Sequence, residues 1–271
     1  MSVPLQRKYL ESLYRRFTRR CHVHPDPVEF LYAFEDVRER EVAGLLVSSL
    51  AYGRVRHIHR SITELLGRTG PPRAFLERST PIALRRAIAG FKHRFANEEA
   101  MGDFLLGLRR VLRHHGSLEA CFLAGLDASA ETVLPALEHF VSELRAGMNP
   151  DRSNHLLPHP AERSACKRLH LYLRWMVRRD AVDPGGWDGV APARLLMPVD
   201  THIHRFALRH GLTRRKQADL RTVHEITAAF RHFAPRDPVR YDFSITRLGI
   251  LGVSDDGASK APVGYPEGGV S

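Results

Sequence analysis

The sequence predicts an all-α protein, on three observations. Apolar residues recur with a period near 3.6 over most of the 271-residue chain. These runs are separated by Pro, Gly and Asp breaks. No segment shows the sustained alternation of a half-buried strand.

The elements follow in order. In DPVEFLYAFEDVREREVAGLLVSSLAYG, Asp26 is a good N-cap with Pro27 at the first helical position. Val28, Leu31, Phe34 and Val37 share one helical stripe. Val42, Leu45, Leu46 and Ser49 open a second helix, apolar nearly all round and therefore predicted to be buried. Further helical patterns cover roughly residues 55–66, 81–91, 98–114, 117–123 and 130–144. RAGMNPDRSNHLLPHP is rich in turn formers and reads as a connector. A helix over about 161–177 follows, with Ala165, Leu169, Tyr172, Leu173 and Met176 on its buried face. RRDAVDPGGWDGVAPARLLMP reads as a long irregular loop, and such loops usually carry function. Helices resume after Asp200, at 223–233 and at 238–248. The chain thus reads as one helical domain over residues 1–251, without internal repeats. The Gly/Pro/Ser-rich tail, residues 252–271, is expected to be disordered.

Composition narrows the function. Hydrophobic content of 43% and charged content of 26% are ordinary for a soluble domain. The balance of 41 Lys+Arg against 30 Asp+Glu, a net +11, is not. An excess of this kind favours a polyanionic partner, because each phosphate neutralised releases condensed counterions. A GC-rich genome that writes Arg for Lys would leave the same mark. The chain start has no apolar core of a signal peptide, and no window is long enough to span a membrane, so a cytoplasmic, nucleoid-associated monomer is expected. Cys21, Cys121 and Cys166 lie too far apart for a C-x-x-C zinc site, and three thiols cannot hold a four-thiolate cluster. No metal or cofactor is expected.

The chemistry centres on LLMPVDTHIHRFALRHGL. Asp200 directly precedes a helix whose apolar stripe is Ile203, Phe206, Ala207 and His210, so it suits an N-cap. D-x-H-x-H also resembles the entry motif of metal-dependent amidohydrolases. That motif needs a preceding strand, for which only RLLMPV is available, and His202 and His204 at i and i+2 do not share a helix face. In the third reading Asp200 is a catalytic carboxylate that works with a lysine.

VDTHIHR resembles the VDTHV.R signature of the helix-hairpin-helix DNA glycosylases, the endonuclease III superfamily. The resemblance implies a two-lobed helix-hairpin-helix fold with the active-site cleft between the lobes. It also implies an essential Asp200 at a helix N-terminus. In bifunctional members a lysine attacks C1′ of the target nucleotide, and Lys167 in SACKRLHLYLRWMVRRD matches that position. Asp200 lies 33 residues after Lys167, counted from 167 to 200, a spacing that resembles the archaeal 8-oxoguanine branch. LPHPAERSAC stands where the common hairpin has its Gly-rich turn. Beyond these motifs, DPVEFLYAFEDVREREVAGLLVSSLAYGRV, GSLEACFLAG, HRFALRHGLTRRKQADLRTVHEIT and DPVRYDFSITRLGILG are similar to an uncharacterised bacterial family distantly related to these enzymes.

The implied function is a base-excision glycosylase with abasic-site lyase activity, acting on duplex DNA with a damaged base or abasic site. Two alternatives remain open: a non-catalytic nucleic-acid-binding module on the same fold, and the metal-dependent hydrolase. Burial and neighbouring positive charge activate a lysine, and Arg163 and Arg168 are its neighbours in sequence. Lys167 falls off the apolar stripe, which suits either solvent or a cleft. Leu50 or Tyr52 is expected to fill the gap left by a flipped base. Gly53 is a C-cap or a DNA contact, and Arg54 and Arg94 are candidate phosphate contacts. His202, His204 and Arg205 follow the catalytic Asp in the signature and join the candidate DNA contacts. Trp187 either stacks on a base or anchors its loop to the core.

Overall fold

The structure, a computed structural model, describes residues 5–149, 154–162 and 164–252. Helix accounts for 62% and strand for 2% of it, so the described residues are all-α apart from one small hairpin. Among the described residues twelve α-helices follow one another: α1 Arg7–Phe17, α2 Val37–Leu50, α3 Val55–Thr69, α4 Pro72–Arg78, α5 Pro81–Ala87, α6 Glu98–His115, α7 Leu118–Ala124, α8 Leu134–Arg145, α9 Lys167–Val177, α10 Thr201–Arg209, α11 Leu220–Phe233 and α12 Asp242–Ile250. None is long and apolar enough to cross a membrane. The tail from residue 253 onward lies outside the described residues, and so does Arg163.

The local chemistry moves several expected boundaries. The run after Pro27 is a 3₁₀ helix, Pro27–Ala33, rather than an α-helix through Val37. Asp36 accepts a hydrogen bond from Arg38 N at 2.8 Å and starts α2 at Val37, five residues ahead of Val42. The helix expected from residue 161 starts at Lys167, because Cys166 takes φ +43° and breaks the turn before it. Lys167 is therefore the first residue of α9. A short antiparallel hairpin, β1 Lys92–His93 and β2 Ala96–Asn97, stands where no strand was expected. Its two-residue turn is Arg94-Phe95, with Arg94 at φ +53°.

Helix α2 is the hub. Residues Glu41 to Leu50 are all buried, and the helix packs on α9, α4, α3, α7 and the 3₁₀ helix. Two of its carboxylates cap neighbours. Glu39 accepts from Arg73 N and Ala74 N, at 2.8 and 2.9 Å, at the start of α4. Glu41 accepts from Leu118 N and Glu119 N, each at 3.0 Å, at the start of α7. Both satisfy orphan amides of a first helical turn. Helix α1 packs on α12, and α12 on α10, so the two ends of the described chain share one side. The buried apolar side chains form one continuous cluster.

The long loop after α9 is tied down by charge. Arg174 Nε donates to Asp183 Oδ1 at 3.1 Å, and Arg174 also pairs with Asp242. Arg178 pairs with Asp180, Asp183 and Asp237. These buried groups join α9, its following loop and the start of α12. Each guanidinium faces more than one carboxylate, which is how a buried charge is kept.

Candidate active site

Helix α9 places Lys167, Leu171 and Arg174 on one face by their i, i+4, i+7 spacing, and all three line a cavity of about 550 Å³. That volume lies within the roughly 300–1,000 Å³ typical of ligand sites. The start of α10 contributes Asp200, His202 and His204; Tyr52 and Gly53 follow α2; and α12 adds Asp242, Phe243 and Arg247. Two residues 33 apart in sequence, Lys167 and Asp200, thus meet in one cavity beside the N-termini of two helices.

Asp200 is an N-cap. Its Oδ1 accepts from His202 N at 2.9 Å and Ile203 N at 2.8 Å, which fixes the carboxylate at the positive end of α10. The backbone before the helix is extended, with ψ −174° at Asp200. Lys167 is half-buried and makes no hydrogen bond or ion pair with any described residue. Every other cation that lines the cavity is matched. Arg174 has Asp183 and Asp242. Arg247 has Asp26 at 3.6 Å and the carbonyl of Val23.

Asp242 was not anticipated. Burial pushes its carboxyl up to about 7, against the pull of Arg174, and the negative charge of Asp200 pushes in the same direction as burial. Both carboxylates line the same cavity. Arg174, the partner of Asp242, has a readable signal, since it falls on the same helical face as Lys167. Asp242 itself carries none in its local sequence.

The other expected site residues separate into groups. Leu50 is fully buried within α2, so it cannot fill a gap in a duplex; the helix turns it into the core. Trp187 is 1% exposed, donates through Nε1 to Glu41 at 3.0 Å and packs on Phe122, Phe140 and Tyr172. It anchors the loop and is not available to stack on a base. Arg168 donates to the carbonyls of Ser49 and His155 and lies 4.7 Å over the Tyr52 ring. It ties α9 to the end of α2 and does not face a phosphate. Tyr52 lines the cavity and donates to the His93 carbonyl at 3.1 Å. Gly53 needs its φ of +105°, and a Cβ there would meet Arg94 Cδ at 2.8 Å. Arg54, Arg94 and Arg205 are exposed.

His202 packs against Gly249, where a Cβ would approach its Nδ1 to 2.4 Å. His204 Nε2 donates to the Arg215 carbonyl at 2.8 Å, which fixes its tautomer and occupies that nitrogen. Among the described residues, no group of three or more His, Cys, Asp or Glu is placed to hold a metal ion.

Over residues 26–251 the chain matches a family described as a protein of unknown function, DUF2400. No curated protein matches it, and no solved structure does.

Proposed function

The chain belongs to the DUF2400 family, and we propose that it is a DNA base-excision enzyme: a glycosylase with abasic-site lyase activity, built as two helical lobes around the cavity. The observation that carries this reading is that an unmatched Lys167 and a capped Asp200 line one cavity. The resemblance of VDTHIHR to the glycosylase signature points the same way, and so does the net charge of +11. The lobe arrangement draws support from the cavity lining, which comes both from the chain around Pro25–Ile58 and from Lys167 onward.

The chemistry runs as follows. The target nucleotide leaves the stack to reach the cavity. Lys167 gives up its ammonium proton, with the Asp200 carboxylate as acceptor, and its amine attacks the sugar C1′. The C1′–N bond breaks and the base leaves with that bond's electron pair, protonated from Asp200 or from water. In the resulting hemiaminal ether the C1′–O4′ bond breaks, O4′ takes a proton, and a Schiff base forms between Nζ and C1′. Loss of a C2′ proton then expels the 3′ phosphate, and water releases the lysine. Once it has given the lysine's proton to the leaving base, Asp200 is again a carboxylate and stabilises the cationic Schiff base.

Borohydride trapping tests this directly. The wild-type chain should give a covalent protein–DNA adduct on duplexes with an abasic site or 8-oxoguanine. Lys167→Ala should abolish the adduct while the fold and DNA binding survive. An adduct that persists in that variant moves the nucleophile to another amine. Tight binding with no adduct on any damaged duplex favours a binding module.

A further inference from the structure

A second concavity, of about 340 Å³, is not used by the proposed chemistry. His57 and Arg60 of α3 line it together with Lys92 and Arg94 of the hairpin. His57, Arg60 and Lys92 are exposed and have no hydrogen-bond or ion-pair partner among the described residues. The one carboxylate in the lining, Glu64, is already engaged by Arg68 at 2.7 Å. Elsewhere on the surface Arg73, Arg85, Arg110 and Arg145 each hold a carboxylate. Like charges left together around a hollow repel one another, and a multivalent anion relieves that repulsion.

The hairpin carries a second signal. Phe95, at its tip, is 69% exposed. A single exposed apolar residue needs no explanation, but this one has particular company. The Arg94 guanidinium lies 5.5 Å from its ring and the His155 ring 5.8 Å away. The hairpin beneath it is held firmly. His93 is buried, donates through Nε2 to the Tyr52 carbonyl at 3.2 Å and accepts at Nδ1 from Ser61 at 2.9 Å. Burial holds its pKa below the ordinary imidazole value, which fits this neutral, two-bond role. Tyr52 in turn lines the first cavity. One set of contacts therefore joins the basic hollow and the hairpin to Tyr52, which lines the same cavity as Lys167.

We propose that the Lys92–Asn97 hairpin and the start of α3 form a second nucleic-acid subsite, in which the basic hollow takes a backbone phosphate and Phe95 stacks on an unstacked base of the same duplex. The inference rests on the base-excision reading for its ligand, DNA. It replaces Leu50, which the fold buries, with a side chain that is free to reach a base.

The test uses a duplex with a tetrahydrofuran abasic-site analogue and 2-aminopurine beside it. Wild type should change the 2-aminopurine fluorescence on binding. Phe95→Ala should abolish that change and weaken binding roughly 5- to 100-fold, the usual range for one lost stacking contact, while Phe95→Trp should keep both. Arg60→Ala and Lys92→Ala should each flatten the log–log salt dependence by about one. All three side chains lie away from Lys167 in sequence and on other elements, so at saturating protein the borohydride adduct on a duplex with a true abasic site or 8-oxoguanine should persist in each variant. If Phe95→Ala and an Arg60→Ala/Lys92→Ala double variant bind like wild type with the adduct intact, the hairpin proposal is wrong and the enzyme reading stands. Hairpin-dependent binding without an adduct removes the enzyme reading alone. No binding by wild type at low salt removes both.

Discussion

Asp200 is a helix cap and, in the proposed chemistry, a proton acceptor, and its substitutions separate the two roles. As a cap it accepts two amide hydrogens, from His202 and Ile203. Asp200→Ala leaves both without that partner and should cost about 0.5–2 kcal/mol of stability. Asp200→Asn keeps an oxygen in the same place, and Asn caps as well as Asp. It loses the charge–dipole term at the start of α10, about 0.3–1 kcal/mol. It also removes the repulsion that Asp200 exerts on Asp242. The two changes oppose each other, so Asp200→Asn should stay within about 0.5 kcal/mol of wild type, a surface-like effect. Base excision should nonetheless fall by at least ~10², the low end for an acid–base group. Urea denaturation at pH 7 and single-turnover excision, run on the same three proteins, measure both. An Asn variant as unstable as the Ala variant would mean that the charge holds the structure. An Asn variant with full activity would reduce Asp200 to a cap.

The titration of Asp242 gives a companion test. Its folded-state pKa is raised to about 7 from the ordinary 3.8, so between these values the folded chain holds a proton that the unfolded chain has released. Stability therefore falls as pH rises across that window. Asp200→Asn should lower the Asp242 midpoint in a carboxyl-carbon NMR titration and shrink that fall; an unchanged midpoint would mean the two carboxylates do not interact. Two glycines should respond with opposite signs to Ala. At Gly107 in α6 a Cβ would stand 2.3 Å from the Leu144 carbonyl oxygen of α8, so the substitution should destabilise by about 1–3 kcal/mol despite better helix propensity. At Gly67 in α3 nothing lies within 4 Å, and Ala should stabilise by about 0.5–1 kcal/mol. Equal shifts of the urea midpoint at both would refute the close α6–α8 approach.

Local signals were legible in the sequence and long-range ones were not. Asp200 could be read because a cap needs only the helix that follows it. Lys167 could be placed off the apolar stripe, but its cavity depends on α10 and α12, far along the chain. Trp187 was ambiguous because its partner Glu41 lies 146 residues away. Leu50 was misplaced because the end of α2 is buried on every side, and Gly53 turns the chain only after it. The hairpin escaped notice because two-residue strands cannot alternate, and its turn uses Arg94 at positive φ where glycine or asparagine would have marked it. Arg174 pairs with Asp242 across 68 residues, a distance at which no periodicity speaks.

The arrangement of charge around the first cavity suits the proposed chemistry better than simple adhesion. A module that only binds DNA draws its affinity from cations offered to phosphates. Here Arg174 and Arg247 line the cavity yet are committed to Asp183, Asp242 and Asp26. They shape the cavity and hold α9 and α12 in register; little of their charge is left over for a ligand. What the cavity offers is narrower: one lysine without a partner, on a flexible four-carbon stem, and one carboxylate fixed at a helix start by two amides. A mobile amine and an immobile proton acceptor in one cavity make the division of labour that the proposed attack at C1′ requires. The amine must advance by the length of a forming bond, whereas the carboxylate must stay where the charge develops. Adhesion is left to the exposed cations outside the cavity, among them Arg54, Arg60 and Lys92, which no carboxylate of the described chain neutralises. Affinity and chemistry then reside in different residues. Losing Lys167 should therefore stop the reaction without loosening the grip, and losing Arg60 with Lys92 should loosen the grip without stopping the reaction.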